Sequence, residues 1–420
     1  MRKVLPILAV ALTVVACSEA PVAQSEYLFV WAGDSAEKAS DFLAVIDANP
    51  ASAAYGSVIT AIPTGATGTH PHHTEAEMPA SGHLLANGFH SGQTWLFDLT
   101  APREPRIIST FGDLAGYSHP HTYQRLSNGN VLATFQYRSD SSAPAPMMHM
   151  GGSAQRTVNA EHPTGGLVEM DEKGTVVRSG SAVDTTIKDR RLFPYSVLAM
   201  RGIDRAVSTT TDMDEADVKA TSEWVQFWRL SDLTLLRSIA LRPGPRGDEN
   251  QFTGEPRLLP DGKSVYIHTF NCGLYLVRDI AAATPSAVFV KGFEGKECGV
   301  PILTGQVWLQ PVPSTHSLVA LDISDPEHPR EVSSVKLDDG EAPHWIALDR
   351  TGTRVVLNSG GGGTRNRLYI IKLDPITGHL AIDDQFRDLG SATPGVTMSA
   401  RKWPHGFTGT ASPHGTVFSR

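Results

Sequence analysis

Helical periodicity is nearly absent from this 420-residue chain, which holds 38 glycines and 28 prolines but only 7% aromatic residues. Hardly any stretch places apolar residues three and four apart over successive turns, which excludes a helical bundle as the main architecture. No second long apolar run follows residue 26, so no membrane-spanning helix of about 20 residues is expected in the body of the chain. Basic clusters and aromatic-basic stripes are also missing. With 44 acidic against 36 basic residues and a net charge of -8, nucleic acid is not an expected partner. The motifs H-E-x-x-H and G-x-S-x-G do not occur, and Gly88-Phe89-His90-Ser91-Gly92 has its serine in the wrong place for a nucleophile elbow. Gly360 to Gly363 lacks the Lys-Ser or Lys-Thr of a phosphate loop and reads as a flexible strand connection.

Cysteine is scarce, with three residues in all. Met1, Arg2 and Lys3 precede an uncharged stretch from Val4 to Ala16, the order of a secretory signal peptide too short to remain as a spanning helix. Val14-Val15-Ala16-Cys17 fits a bacterial lipobox, so residues 1–16 are expected to be a lipoprotein signal peptide and residues 17–26 a tether starting at lipidated Cys17. Ser18, rather than Asp, after the cysteine favours the outer membrane, facing the periplasm. In that oxidising compartment Cys272 and Cys298 are expected to form a disulfide.

What the chain does contain is short β-branched and apolar runs bounded by turn residues. A unit of turn, strand, gap and strand recurs. His83–Asn87 leads to Thr94–Asp98, and Ser127–Ala133 leads to Gly166–Asp171. Pro260–Ile267 leads to Gly273–Val277, Gly305–Leu309 to Ser317–Asp322, and Thr351–Leu357 to Leu368–Asp374. Each reads as an antiparallel hairpin registered by an Asn-Gly or Asp-Gly kind of turn. Such units cannot bury both faces alone, so their recurrence implies sheets stacked around an axis. With a less regular unit from Tyr195 to Leu230, and an opening unit from Tyr27 to Asp47 completed by the C-terminal segment, residues 27–420 are expected to form one all-β domain, a β-propeller of about seven blades. Insertions at Ser139 to Pro163 and Asp212 to Ser222 read as a lid-like loop and a solvated acidic loop.

Histidine is the abundant chemical resource, with sixteen residues. His70, His72 and His73, then His119 and His121, then His344, and finally His405 and His414 fall where innermost strands would begin or in the closing segment. A propeller converges such positions on one axis, where neutral imidazoles would suit copper or another transition metal. Within a regular strand His119 and His121 share a face, while His72 and His73 do not. A polar tunnel in which the same histidines bind water and backbone is the competing reading. Glu75, His90 and His119 are candidates for supporting such a site; His268 reads as structural.

Asp41–Asp47 with Tyr55–Ile59, then His72-His73, Trp95–Asp98 with Pro102–Pro105, Pro120-His121-Thr122 and Lys402-Trp403-Pro404 together resemble the selenium-binding protein family, which includes bacterial methanethiol oxidases. The resemblance implies a seven-bladed propeller whose channel histidines hold copper and which oxidises methanethiol with oxygen and water to formaldehyde, hydrogen sulfide and hydrogen peroxide. It makes His72, His73 and His121 the ligand candidates. The chain departs from the family in three places. Thr74 to Gly82 lacks the family's Cys-x-x-Cys, Ser399 stands where the family has a histidine, and His344 stands where it more often has an amide. A cage rebuilt with His344 and His405 is therefore expected, with a small thiol or sulfur compound as substrate. The alternative is a lipid-anchored propeller that serves as a binding scaffold or binds metal without catalysis; a metal-free lactonase is a third option.

Overall fold

The computed structural model describes Met1 and residues 24–139, 163–187, 190–213, 222–360 and 363–420. Cys17, the lipobox, the tether up to residue 23 and most of both predicted insertions lie outside the described residues, as do His149 and His162. Among the described residues seven antiparallel sheets, six of four strands and one of five, stand around an axis and form a seven-bladed β-propeller, with a two-stranded hairpin, Arg401–Lys402 and Thr408–Gly409, beside them.

Blade 1 combines Tyr27–Asp34, Ser40–Asp47 and Val58–Thr67 with Ala411–Phe418, which supplies its innermost strand and so closes the ring. The innermost strands of blades 2 to 7 are Pro71–Thr74, Tyr117–Arg125, Pro194–Met200, Thr253–Leu258, Ile302–Thr304 and Trp345–Leu348. Three further strands follow in each sheet, and blade 7 carries the short edge strand Val396–Thr397 on its third strand. Among the described residues the only helical turns are of the 3-10 type, Arg201–Ile203 and Pro313–Thr315.

The burial pattern explains why the sequence shows apolar runs more than alternation. The second and third strands lie between neighbouring blades and are buried on both faces, as in His83–Gly88 and Gln93–Asp98. Outermost strands such as Arg106–Phe111 bury one face only, and there burial alternates residue by residue. The recurring hairpins seen in the sequence are these second and third strands. The glycine turns fall one step earlier, between first and second strands: Gly129 (φ 86°) follows Tyr117–Arg125, and Gly262 (φ 66°) follows Thr253–Leu258. Positive φ at these points is open to glycine at little cost.

Tryptophans fill the inter-blade core, with Trp31, Trp228, Trp308 and Trp403 fully buried. The Nε1 of Trp31 in blade 1 donates to the carbonyl of Asn87 in blade 2 at 2.7 Å. Cys272 and Cys298 form a disulfide with Cα atoms 5.1 Å apart, joining the turn after Val265–Thr269 to the segment that leads into blade 6.

Candidate metal centre

Three imidazoles meet near the axis. His72 and His73 come from the innermost strand of blade 2 and His121 from that of blade 3; one ring nitrogen from each lies within 4.8 Å of the others. His72 and His121 face each other Nε2 to Nε2 at 2.9 Å. His72 and His73 are adjacent residues on a regular strand's opposite sides, yet their rings stack at 4.3 Å and 13°. The irregularity lies in the pairing between Pro71 and Thr74, where register shifts and lets the chain turn both rings inward.

A fourth histidine joins them from the other end of the sequence. The His414 ring lies 4.2 Å from that of His72 and 5.6 Å from that of His73. Gly415 makes this approach possible: a Cβ there would stand 2.5 Å from the Thr74 nitrogen, so only glycine lets the innermost strands of blades 1 and 2 come so close. His344 sits next in the ring, 5.0 Å from His414 and outside the three-nitrogen group.

The supporting contacts set orientation. His121 Nδ1 donates to the Tyr195 carbonyl at 2.8 Å, which leaves Nε2 with its lone pair toward the cluster. Asn87 accepts from the His73 backbone N–H at 2.7 Å and donates to the Pro120 carbonyl at 2.6 Å, fixing blades 2 and 3 against each other at the site. Asn358 does the corresponding work in blade 7, donating to the His414 carbonyl at 2.5 Å and to Thr416 at 2.8 Å. Neither asparagine stood out in the sequence. The signal that could have found them is a lone amide ending an apolar strand, Leu84-Leu85-Ala86-Asn87 and Val355-Val356-Leu357-Asn358.

Burial and mutual repulsion hold the His72, His73 and His414 imidazoles neutral, with pKa values well below the usual histidine range. Burial lowers that of His121 to about 3, against a smaller opposing pull from the Tyr195 carbonyl. Neutral imidazole is the form that ligates a metal. Among the described residues the buried Nδ1 atoms of His72 and His414 have no hydrogen-bond partner, a costly state in a water-poor interior unless a ligand is present. Donor type, protonation and unpartnered nitrogens thus fit a transition ion that prefers imidazole.

The other predicted residues lie elsewhere. His405 is not brought to the axis: its ring packs on Phe42 at 4.5 Å, beside Trp403, against the third strand out from the centre. Glu75 is buried, but its carboxylate is taken by Arg125 at 2.7 Å and by the Leu85 N–H at 2.9 Å. His90 meets His70 rather than the cluster, and His119 packs against Phe89 and Tyr137. His268 is fully buried in blade 5 and accepts from the Glu255 N–H at 3.0 Å.

A cavity of about 350 Å³ opens on the His73 side of the cluster. Its walls are Tyr123, Val197, Trp345 and Ile346, with the Glu75–Arg125 and Glu255–Arg257 ion pairs at its edge. The Tyr195 hydroxyl stands 3.5 Å from His73 Nε2, and burial raises its pKa well above the ordinary value, so it stays protonated.

A seven-bladed propeller with a buried histidine cluster at its axis is the class of protein that fold and site define. A methanethiol oxidase of a Hyphomicrobium species is 34% identical over 112 residues, a match covering 24% of this chain and 24% of that protein. The chain thus spans about a quarter of the length of the relative it matches. A hypothetical selenium-binding protein of Sulfolobus tokodaii shares the fold with a TM-score of 0.71 at 17% identity, over 95% of this chain and 94% of that one. A periplasmic gluconolactonase of Pseudomonas aeruginosa aligns with a TM-score of 0.60 at 13% identity, over 94% and 99% of the two chains. No family model matches the sequence. The chain is thus locally similar in sequence to a methanethiol oxidase and shares its propeller fold with a selenium-binding protein.

Proposed function

We propose that this chain is an extracytoplasmic, copper-dependent oxidase of a small thiol or sulfur compound, anchored to the outer membrane through lipidated Cys17. The convergence of His72, His73 and His121 carries the reading, with His414 as the fourth ligand candidate. The reaction is that of the methanethiol oxidases: the thiol carbon loses two electrons, oxygen gains two, and thiol, oxygen and water yield aldehyde, hydrogen sulfide and hydrogen peroxide. Copper bound by the imidazoles would supply the redox chemistry that joins thiol to oxygen.

The protein's own contribution is positional. His121 is held in one tautomer by the Tyr195 carbonyl, and Asn87 fixes the backbone of His73. The cavity beside His73 is of mixed lining, with Val197, Trp345 and Ile346 in its walls and two of its three carboxylates, Glu75 and Glu255, paired to arginines, and it has room for a small thiol. The Tyr195 phenol, kept protonated by its burial, offers a hydroxyl beside His73. A disulfide between Cys272 and Cys298 supports a location where thiols oxidise.

The test is elemental analysis of protein purified without its leader, compared with the His72→Ala, His121→Ala variant, followed by assay of methanethiol for peroxide release. Near-stoichiometric copper and peroxide production, both lost in the variant, are expected. Wild-type protein that takes up no metal after copper loading would leave a binding propeller as the better account.

A further inference from the structure

Outside the inner cluster a second pair of imidazoles stands nitrogen to nitrogen. His70 Nδ1 and His90 Nε2 are 2.8 Å apart, with rings edge to face at 4.2 Å, and both residues are exposed. The pair is built by two segments tied together through backbone: Phe89 N–H donates to the His70 carbonyl at 2.9 Å and His90 N–H to the Thr69 carbonyl at 3.0 Å. Thr69 is in turn anchored on buried Asp41 through its N–H at 2.8 Å and its hydroxyl at 2.6 Å.

Holding His70 in place strains the backbone. It adopts φ 57° directly before Pro71, a left-handed conformation uncommon for a residue with a side chain. Such strain persists where surrounding structure enforces it, and it concentrates at functional positions. The pair also lies on a path inward. Its rings line a cavity of about 250 Å³ together with His414, and the His70 ring is 5.6 Å from that of His72. Asp34, Glu37 and Asp41 line the same cavity and make it attractive to cations.

We infer that His70 and His90 form an outer metal port that captures a copper or similar imidazole-preferring ion and passes it to the inner histidines. The handover rests on the metal reading of the inner cluster; the port itself does not. Two nitrogens hold an ion less firmly than three or four, so the affinity gradient runs inward.

Copper(II) sulfate added to the purified full chain tests both parts. In a variant with His72, His73, His121 and His414 all replaced by alanine, electron paramagnetic resonance should show one weakly held copper coupled to two nitrogens. That signal should vanish when His70→Ala and His90→Ala are added. Against the wild-type inner cluster, the His70→Ala, His90→Ala variant should lack the weakly held outer copper and fill the inner site to the wild-type level, but load it about tenfold or more slowly. Both side chains lie at the surface, so these variants are expected to fold. Wild-type loading rate in the outer variant, or a signal that survives loss of both outer histidines, would overturn the port. An outer signal identical in wild type and inner variant, with no further copper in wild type, would instead sink the handover through failure of the inner reading.

Discussion

The Nδ1 of His121 donates to the backbone carbonyl of Tyr195 across the junction of blades 3 and 4. Because the acceptor is backbone, Tyr195→Phe preserves the tautomer and should leave copper affinity within about twofold, while His121→Ala should weaken it by about 10- to 100-fold or more. Competition with a chromogenic copper chelator reads both. Equal losses in the two variants would mean that the Tyr195 hydroxyl, not its carbonyl, orders the site.

His414 and His405 separate two readings of the closing segment. His414→Ala removes a ring 4.2 Å from His72 and should lower copper affinity by about tenfold or more. His405→Ala removes a ring that packs on Phe42, so copper content should be unchanged. Elemental analysis of both variants after identical loading decides the assignment.

That pair also shows what the sequence made legible. The blades were readable because second and third strands, buried on both faces, leave apolar runs at regular spacing, with turns between them. The pair His72-His73 and His121 were readable because strand starts converge in a propeller. His414 was harder to choose than His405, since both follow proline in the same C-terminal stretch. What distinguishes them is that Pro413-His414 lies within the closing innermost strand, as Pro71-His72 and Pro120-His121 do in theirs, whereas Pro404-His405 lies in the turn of a small hairpin. Strand pairing between residues hundreds of positions apart decided the matter. Asn87 and Asn358 were hidden for a similar reason, because their partners belong to neighbouring blades.

Arg125 should matter to stability more than to chemistry. It bridges buried Glu75 at 2.7 Å and Glu172 at 2.8 Å, and donates to the His83 carbonyl at 3.1 Å. Arg125→Ala strands the Glu75 carboxylate without a cation, a loss of about 3–5 kcal/mol for a buried pair. Denaturant unfolding should show that loss, and Glu75→Gln in the same background should recover part of it. No recovery would indicate that Arg125 acts through packing.

The Cys272–Cys298 bridge closes a loop with a sequence separation of 26 and lies wholly in the core. Restricting the unfolded chain by a loop of that length stabilises by about 3–4 kcal/mol. A Cys272→Ala, Cys298→Ala variant should therefore melt at a lower temperature, and reductant should lower the wild-type melting point but not the variant's. A wild-type melting point indifferent to reductant under denaturing conditions would argue that the two sulfurs are not joined in the isolated protein.

Asp41 gives the fold a pH dependence of unusual sign for a carboxylate. Burial, opposed by the Thr69 hydroxyl and N–H and reinforced by Asp34 and Glu37, pushes its pKa up to about 6 from an ordinary value of 3.8. His70 and His414 line the cavity on its open side. Between those two values the folded protein binds more proton than the unfolded chain does. The contribution of Asp41 to stability is therefore complete below pH 3.8 and declines as pH rises to 6, by an amount on the order of 3 kcal/mol. The amide of Asp41→Asn mimics the protonated acid and cannot titrate. The difference in unfolding free energy, variant minus wild type, should thus grow from pH 4 to pH 6 and level off above about 7. A difference that stays flat across that range would mean that Thr69 solvates the carboxylate well enough to cancel its burial.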